Sequence, residues 1–105
     1  MPNIIFYDLE TTGLNPFHSK IIEIAGVKYS TETGELEEFT ELVNPNEKIS
    51  HFITNLTGIT NEMVRNKDTI DNVIIRFIDF CGMDESEVYL IAHNNDNKSK
   101  LDVFD

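Results

Sequence analysis

The sequence predicts an α/β fold from three observations: apolar runs of strand length near both ends, an alternating hairpin after the first, and one helix-period stripe closed by glycine. A chain of 105 residues has room for a single domain around one core, and the expected domain is 1–105.

Each element has its own signal. Residues 3–8 hold the apolar run Ile4-Ile5-Phe6-Tyr7, suited to a central strand, and residues 21–29 place Ile21, Ile22, Ile24, Ala25, Val27 and Tyr29 on a second. Ser30-Thr31-Glu32-Thr33-Gly34 is turn chemistry and residues 37–43 read as a third strand, so strands two and three form a hairpin, which Asn44-Pro45-Asn46 ends. Ile49, Phe52, Ile53 and Leu56 then recur at helical spacing before Gly58, and residues 61–66 add another helical turn or two. Asp68 or Thr69 caps a clearer helix, with Ile70, Val73, Ile74, Phe77, Ile78 and Cys81 as its core stripe and Gly82 as its stop. Residues 87–92 read as a fourth strand. His93 and Asn94 follow at its C-terminal end, where open α/β sheets place ligands. Residues 95–105 are polar until Leu101-Asp102-Val103-Phe104-Asp105, and no repeat, linker or low-complexity tract interrupts the chain.

Composition narrows the function. Eight basic residues against 19 acidic ones give a net charge of −11, which argues against a broad basic groove for nucleic acid. A phosphate-bearing substrate would have to be held through metal, backbone amides and local contacts. Cys81 is the lone cysteine, so no internal disulfide forms; a buried thiol in a reducing compartment is expected. Met1-Pro2-Asn3 lacks the basic start of a signal peptide and no apolar run reaches membrane-spanning length. The expected location is intracellular, cytoplasmic or nuclear, without a membrane partner.

The most informative stretch is Asp8-Leu9-Glu10-Thr11-Thr12-Gly13-Leu14. Strand alternation turns Asp8 and Glu10 to one face, where they repel, and one would stay protonated unless a cation sits between them. Hard oxygen ligands favour Mg²⁺ or Mn²⁺ over zinc, and Gly13 lets the backbone turn close to a ligand. An Asp-x-Glu pair at a strand end is also commonly a solvated edge. The apolar run before it and the Thr-Thr-Gly turn after it favour a metal site.

In this order the pieces resemble the DEDD superfamily of 3′–5′ exonucleases, which includes the epsilon proofreading subunit of bacterial DNA polymerase, RNase T and oligoribonuclease. Phe6 through Leu14 is similar to the family's first motif, and Lys20-Ile21-Ile22-Glu23-Ile24-Ala25 to its usual second strand. Ile49-Ser50 through Gly58-Ile59-Thr60 resembles the segment before the helix, and Leu90-Ile91-Ala92-His93-Asn94 the start of the second motif. The resemblance implies a ribonuclease-H-like mixed sheet flanked by helices, incomplete at its C-terminus. It implies a metal-dependent 3′–5′ exonuclease active in DNA replication or repair, using two Mg²⁺ or Mn²⁺ ions.

Carried over residue by residue, Asp8 bridges both ions and Glu10 holds one of them. Thr11, Thr12, Gly13 and Leu14 meet the terminal nucleotide, Leu14 as an apolar wedge that read without the family is a turn-flanking core residue. His93 and Asn94 lie beside the substrate cleft. A lone His after a strand is more often a structural hydrogen-bonder, so His93 is not assigned as general base, and His18 and His51 have no motif behind them. Strict register puts the second-motif acid on Lys98, which cannot ligate metal. A short insertion brings Asp102 into that place as the third catalytic and metal-ligating acid, with Asp96 as the competitor. The family's third motif, a His and an Asp on a later helix, has no counterpart before Asp105. That implies a fragment of a longer exonuclease or a shortened relative. Expected partners are a single-stranded or frayed 3′ end and a polymerase. The alternatives are a non-catalytic nuclease-fold module that binds a polymerase or another partner, and an acidic α/β protein that shares only the inherited fold.

Overall fold

The computed structural model describes residues 2–13, 15 and 17–93. Leu14, Asn94, Asp96 and Asp102 lie outside the described residues. The elements run β1 (Asn3–Thr11), β2 (Ile21–Ser30), β3 (Leu36–Leu42), α1 (His51–Thr57), α2 (Asn61–Val64), α3 (Ile70–Cys81) and β4 (Val88–Ala92). They form a mixed sheet in the order β3-β2-β1-β4, with β1 antiparallel to β2 and parallel to β4. The expected hairpin is β2–β3, antiparallel from Glu23↔Leu42 to Tyr29↔Leu36.

The strand expected over 3–8 runs on to Thr11. Glu10 and Thr11 carry turn-type polarity, but their backbone groups continue the ladder with β2, and ladder hydrogen bonds outweigh local preference. A register shift between Glu10 and Thr11 marks a bulge there, of the kind that re-aims side chains at the end of a strand.

The described helices gather on one face of the sheet. Ile5 and Ile24 pack with Val43, Val73, Phe77 and Cys81 into one core, and Ile22 packs with Ile49, Ile53, Ile59 and Val64 into a second. Complete burial of each such aliphatic side chain contributes about 1.5–3 kcal/mol. Helix α3 starts at Thr69 and ends at Gly82, whose φ of 71° is the left-handed cap conformation that suits glycine. Its buried stripe is Val73, Phe77 and Cys81; Ile78, placed on the stripe by spacing, is exposed, while Phe80 packs on the core. Burial pushes the Cys81 thiol up, with nearby Lys28 acting in the opposite direction. In α1, Ser50 caps the start by accepting from the Ile53 amide, and Ile53 is buried. Phe52 and Leu56 share its helical period yet stay exposed.

Two contacts hold α3 to the sheet. Arg76 reaches Glu41 of β3 with two hydrogen bonds of 2.9 and 2.7 Å and pairs with Asp68 at 2.9 Å. That pairing pulls the Glu41 carboxyl down from its ordinary value. Lys28 Nζ donates to the Phe80 carbonyl at 2.7 Å, satisfying one of the last carbonyls of α3, and lies 5.0 Å from the Phe80 ring centroid.

Gly26 lies between Tyr7 and Phe39 in the register, and a gap opens above it. Phe77 fills that gap, with its ring centroid 5.3 Å from that of Phe39 and 6.2 Å from that of Tyr7. A Cβ at Gly26 would stand 3.0 Å from Phe77 Cε1, and the surrounding rings leave Phe77 little room to retreat. Gly26→Ala is therefore expected to destabilise the fold by about 1–3 kcal/mol, as overpacked cores do. Urea denaturation of Gly26→Ala, Phe77→Leu and the double variant checks this. Losses that simply add would mean that the two residues do not clash.

Candidate active site

Alternation places Asp8 and Glu10 on the face of β1 opposite Ile5 and Tyr7, so both acids sit on the face without described helices. The register sets Asp8 beside Ala25 and Glu10 directly across from Glu23. Glu10 and Glu23 thus oppose one another with Asp8 on the same face, and among the described residues no group of three or more His, Cys, Asp or Glu is arranged to hold a metal ion. Like charges directly opposed across strands destabilise a sheet. The strain is visible at Glu23: burial, and after it the charge of Asp8, push its carboxyl above the ordinary value of 4.5.

The walls come from elements at the same end of the sheet. The His93 amide donates to the Tyr7 carbonyl at 2.6 Å, continuing the β1–β4 ladder beside Asp8. Phe6, Asp8, Ala25, Val27, Thr40 and His93 border a hollow of about 250 Å³ on this face. Beyond Glu10, Thr11 Oγ1 donates to the Gly13 carbonyl at 2.7 Å, tightening the turn. The Thr12 amide donates to the Lys20 carbonyl at 2.8 Å, and Thr12 Oγ1 accepts from the Lys20 amide at 2.9 Å. A Cβ at Gly13 would stand 3.1 Å from Ser19 Oγ, so the turn is close as well as tight. Of the residues singled out in the sequence, Asp8, Glu10, Thr11, Thr12, Gly13 and His93 thus lie on one continuous stretch of surface.

Glu23 is the residue that the sequence reading left out. Its signal was present: a single carboxylate inside the apolar run Ile21-Ile22-Glu23-Ile24.

This geometry has counterparts among known proteins. The profile of the exonuclease family typified by RNase T matches residues 5–99. The chain belongs to this family of exonucleases. Over 89 residues it is 43% identical to a PolC-type DNA polymerase III of Listeria welshimeri, covering 84% of this chain and 6% of that polymerase. The nuclease domain of 3′hExo, a DEDDh family member bound to rAMP, matches with a TM-score of 0.73 and 29% identity, over 96% of this chain and 56% of that one. Exonuclease X in complex with 5′ overhanging duplex DNA matches with a TM-score of 0.64 and 30% identity, over 95% and 52%. The chain thus spans a small fraction of the polymerase and about half of either nuclease chain. The ribonuclease-H-like fold read from the sequence holds, with the mixed sheet and helices in the expected order. Among the described residues, no helix is long and apolar enough to cross a membrane.

The raised Glu23 carboxyl carries a pH signature in metal-free protein. An acid whose folded pKa lies above its unfolded value stabilises the fold at low pH, and that stability is lost as pH rises through the folded value. Both causes of the shift, burial and the charge of Asp8, disfavour the charged Glu23 carboxylate. Glu23→Gln is expected to melt above the wild type at pH 7 in EDTA, with the difference shrinking as pH falls toward 4.5. Thermal midpoints across that range check it. A constant difference at every pH would show that Glu23 does not titrate against Asp8.

Proposed function

We propose that this chain carries the metal-binding part of a 3′–5′ exonuclease active site, which hydrolyses phosphodiesters from the 3′ end and releases nucleoside monophosphates. The observation that carries the reading is the pair Asp8 and Glu10 on the face of β1 without described helices, with Glu23 opposite Glu10 and its carboxyl raised by burial and by Asp8. The carboxylates of Asp8 and Glu10 are hard oxygen donors of the kind that suits Mg²⁺ or Mn²⁺, and the described residues supply this pair without a third ligand grouped with it. Asp8 and Glu10 would hold the metal, and Asp102 would supply a further ligand in a two-ion site. When bound, divalent ions neutralise charge on a scissile phosphate and lower the pKa of an attacking water.

The remaining residues position the substrate. Thr12 Oγ1 already accepts from Lys20, which leaves its own O–H to donate toward the terminal nucleotide. Thr11 holds the turn at Gly13, whose missing Cβ leaves room for the Ser19 side chain; Leu14 would be the apolar wedge at the last base. His93 and Asn94 would flank the cleft from the end of β4, with His93 as a hydrogen-bonding wall rather than the base. The substrate is a single-stranded or frayed 3′ end. The likeness to part of a PolC-type polymerase supports a polymerase context.

Manganese titration tests the site. Wild type is expected to gain about 2.7 kcal/mol of stability at a hundredfold excess over Kd, and Asp8→Ala and Glu10→Ala to lose that gain. Equal responses from all three proteins would remove the metal site and leave a non-catalytic nuclease-fold module.

Turnover is a separate matter. Asp8, Glu10 and Asp102 provide three acids and no placed general base, and loss of a base typically costs 10²–10⁴-fold. The 105-residue chain is therefore expected to release mononucleotides from a labelled oligonucleotide very slowly in Mg²⁺ or Mn²⁺. Rapid release that Asp8→Ala abolishes would show that no further base is needed.

A further inference from the structure

The two longest stretches of this acidic chain without an aspartate or glutamate are residues 11–22 and 48–61. Both lie at the end of the sheet that holds Asp8 and Glu10. The first is the connection that leaves β1 directly after Glu10 and enters β2. The second carries α1, and its Ile49 and Ile53 pack on Ile22 at the start of β2. Four of their side chains, Lys20, Lys48, His18 and His51, are basic or able to become so, and all four are exposed. In a molecule of net charge −11, the connection that leaves β1 directly after Glu10 thus carries no carboxylate until Glu23.

Phe17 stands in the first stretch and is 90% exposed, well above the 66% of Leu36, the next most exposed among the described large apolar residues. Its backbone is tied down. The Phe17 amide donates to Asn15 Oδ1 at 2.9 Å, and the His18 and Ser19 amides donate to the Asn15 carbonyl at 3.2 and 2.9 Å. The Thr12–Lys20 pair closes the base of the loop. An aromatic ring is therefore held out in water on an ordered turn. Its described neighbours Asn15, His18 and Lys20 are polar.

We propose that Phe17 is a stacking platform for an unpaired nucleobase of the strand whose scissile phosphate lies at Asp8 and Glu10. The inference rests on the exonuclease reading above and adds a positioning residue to it. A chain this acidic gains little from general phosphate attraction. Base–aromatic stacking supplies sequence-tolerant affinity by another route, because every base has a π-face.

The chain contains no tryptophan, so Phe17→Trp introduces a single indole at the proposed platform. The probe is a 5′-labelled oligothymidylate with a phosphorothioate at its 3′-terminal linkage, titrated in manganese while anisotropy reports binding and indole emission reports stacking. The indole of Phe17→Trp is expected to be quenched as the oligonucleotide saturates. The indole of Leu36→Trp, at the far end of the β2–β3 hairpin, is expected to keep its emission. Phe17→Ala is expected to fold with an unchanged thermal midpoint and to bind roughly 5- to 150-fold more weakly. Abasic sites near the 3′ end should weaken binding by wild type and leave Phe17→Ala unaffected. Saturated anisotropy with an unquenched Phe17→Trp indole, or wild-type affinity in Phe17→Ala, overturns the platform and leaves the metal site standing. Absence of binding by every variant overturns the nucleic-acid reading and the platform with it.

Discussion

β1 is hydrogen-bonded along both edges, antiparallel to β2 and parallel to β4, and the placement of the acids depends on it. Pairing on two sides fixes the backbone of Tyr7 and Asp8 without help from their side chains. Tyr7 is then free to pack downward under Phe77, while Asp8 points to the other face. The same strand supplies core on one side and charge on the other. Burial of Ile5, Ile22, Ile24 and their partners, about 1.5–3 kcal/mol each, offsets the repulsion that the acidic face imposes.

Much of this arrangement was legible in the sequence, for reasons that differ by element. Alternation in β2 and turn residues before β3 marked the hairpin, because those signals are local. The stripe of α3 was visible because Val73, Phe77 and Cys81 recur at helical period and Gly82 ends it. Phe52 and Leu56 were not separable from Ile53 by period, since what distinguishes them is which part of α1 meets Ile22. The extension of β1 through Thr11 depends on a partner strand ten residues away, which local propensity does not contain. The shared face of Asp8 and Glu10 followed from spacing alone. That it is the helix-free face, and that Glu23 joins it, depends on register and on where α3 docks.

Charge is managed unevenly over the molecule. On the β3 side, Arg76 gathers Glu41 and Asp68 into a surface cluster, where solvent limits what each pair contributes. Lys28 is drawn toward Glu37 and the end of α3. At the other end of β2, burial and the charge of Asp8 raise the Glu23 carboxyl. Arg76 thus compensates carboxylates at one end of the sheet, and divalent ions would offset the repulsion between Asp8 and Glu23 at the other.

The parallel pairing of β4 with β1 has a consequence for the order of assembly. The β2–β3 hairpin closes over a short turn, whereas Asn3 meets Val88 across nearly the whole described chain. Loop-closure entropy makes such distant pairing the slower step. During synthesis β1 leaves the ribosome before β2, β3 and β4, and its pairing with β4 waits until β4 emerges. The ladder bond from His93 to Tyr7, which completes the rim beside Asp8, belongs to that late step. The nascent chain thus has its core hairpin well before its acidic cleft has a second wall.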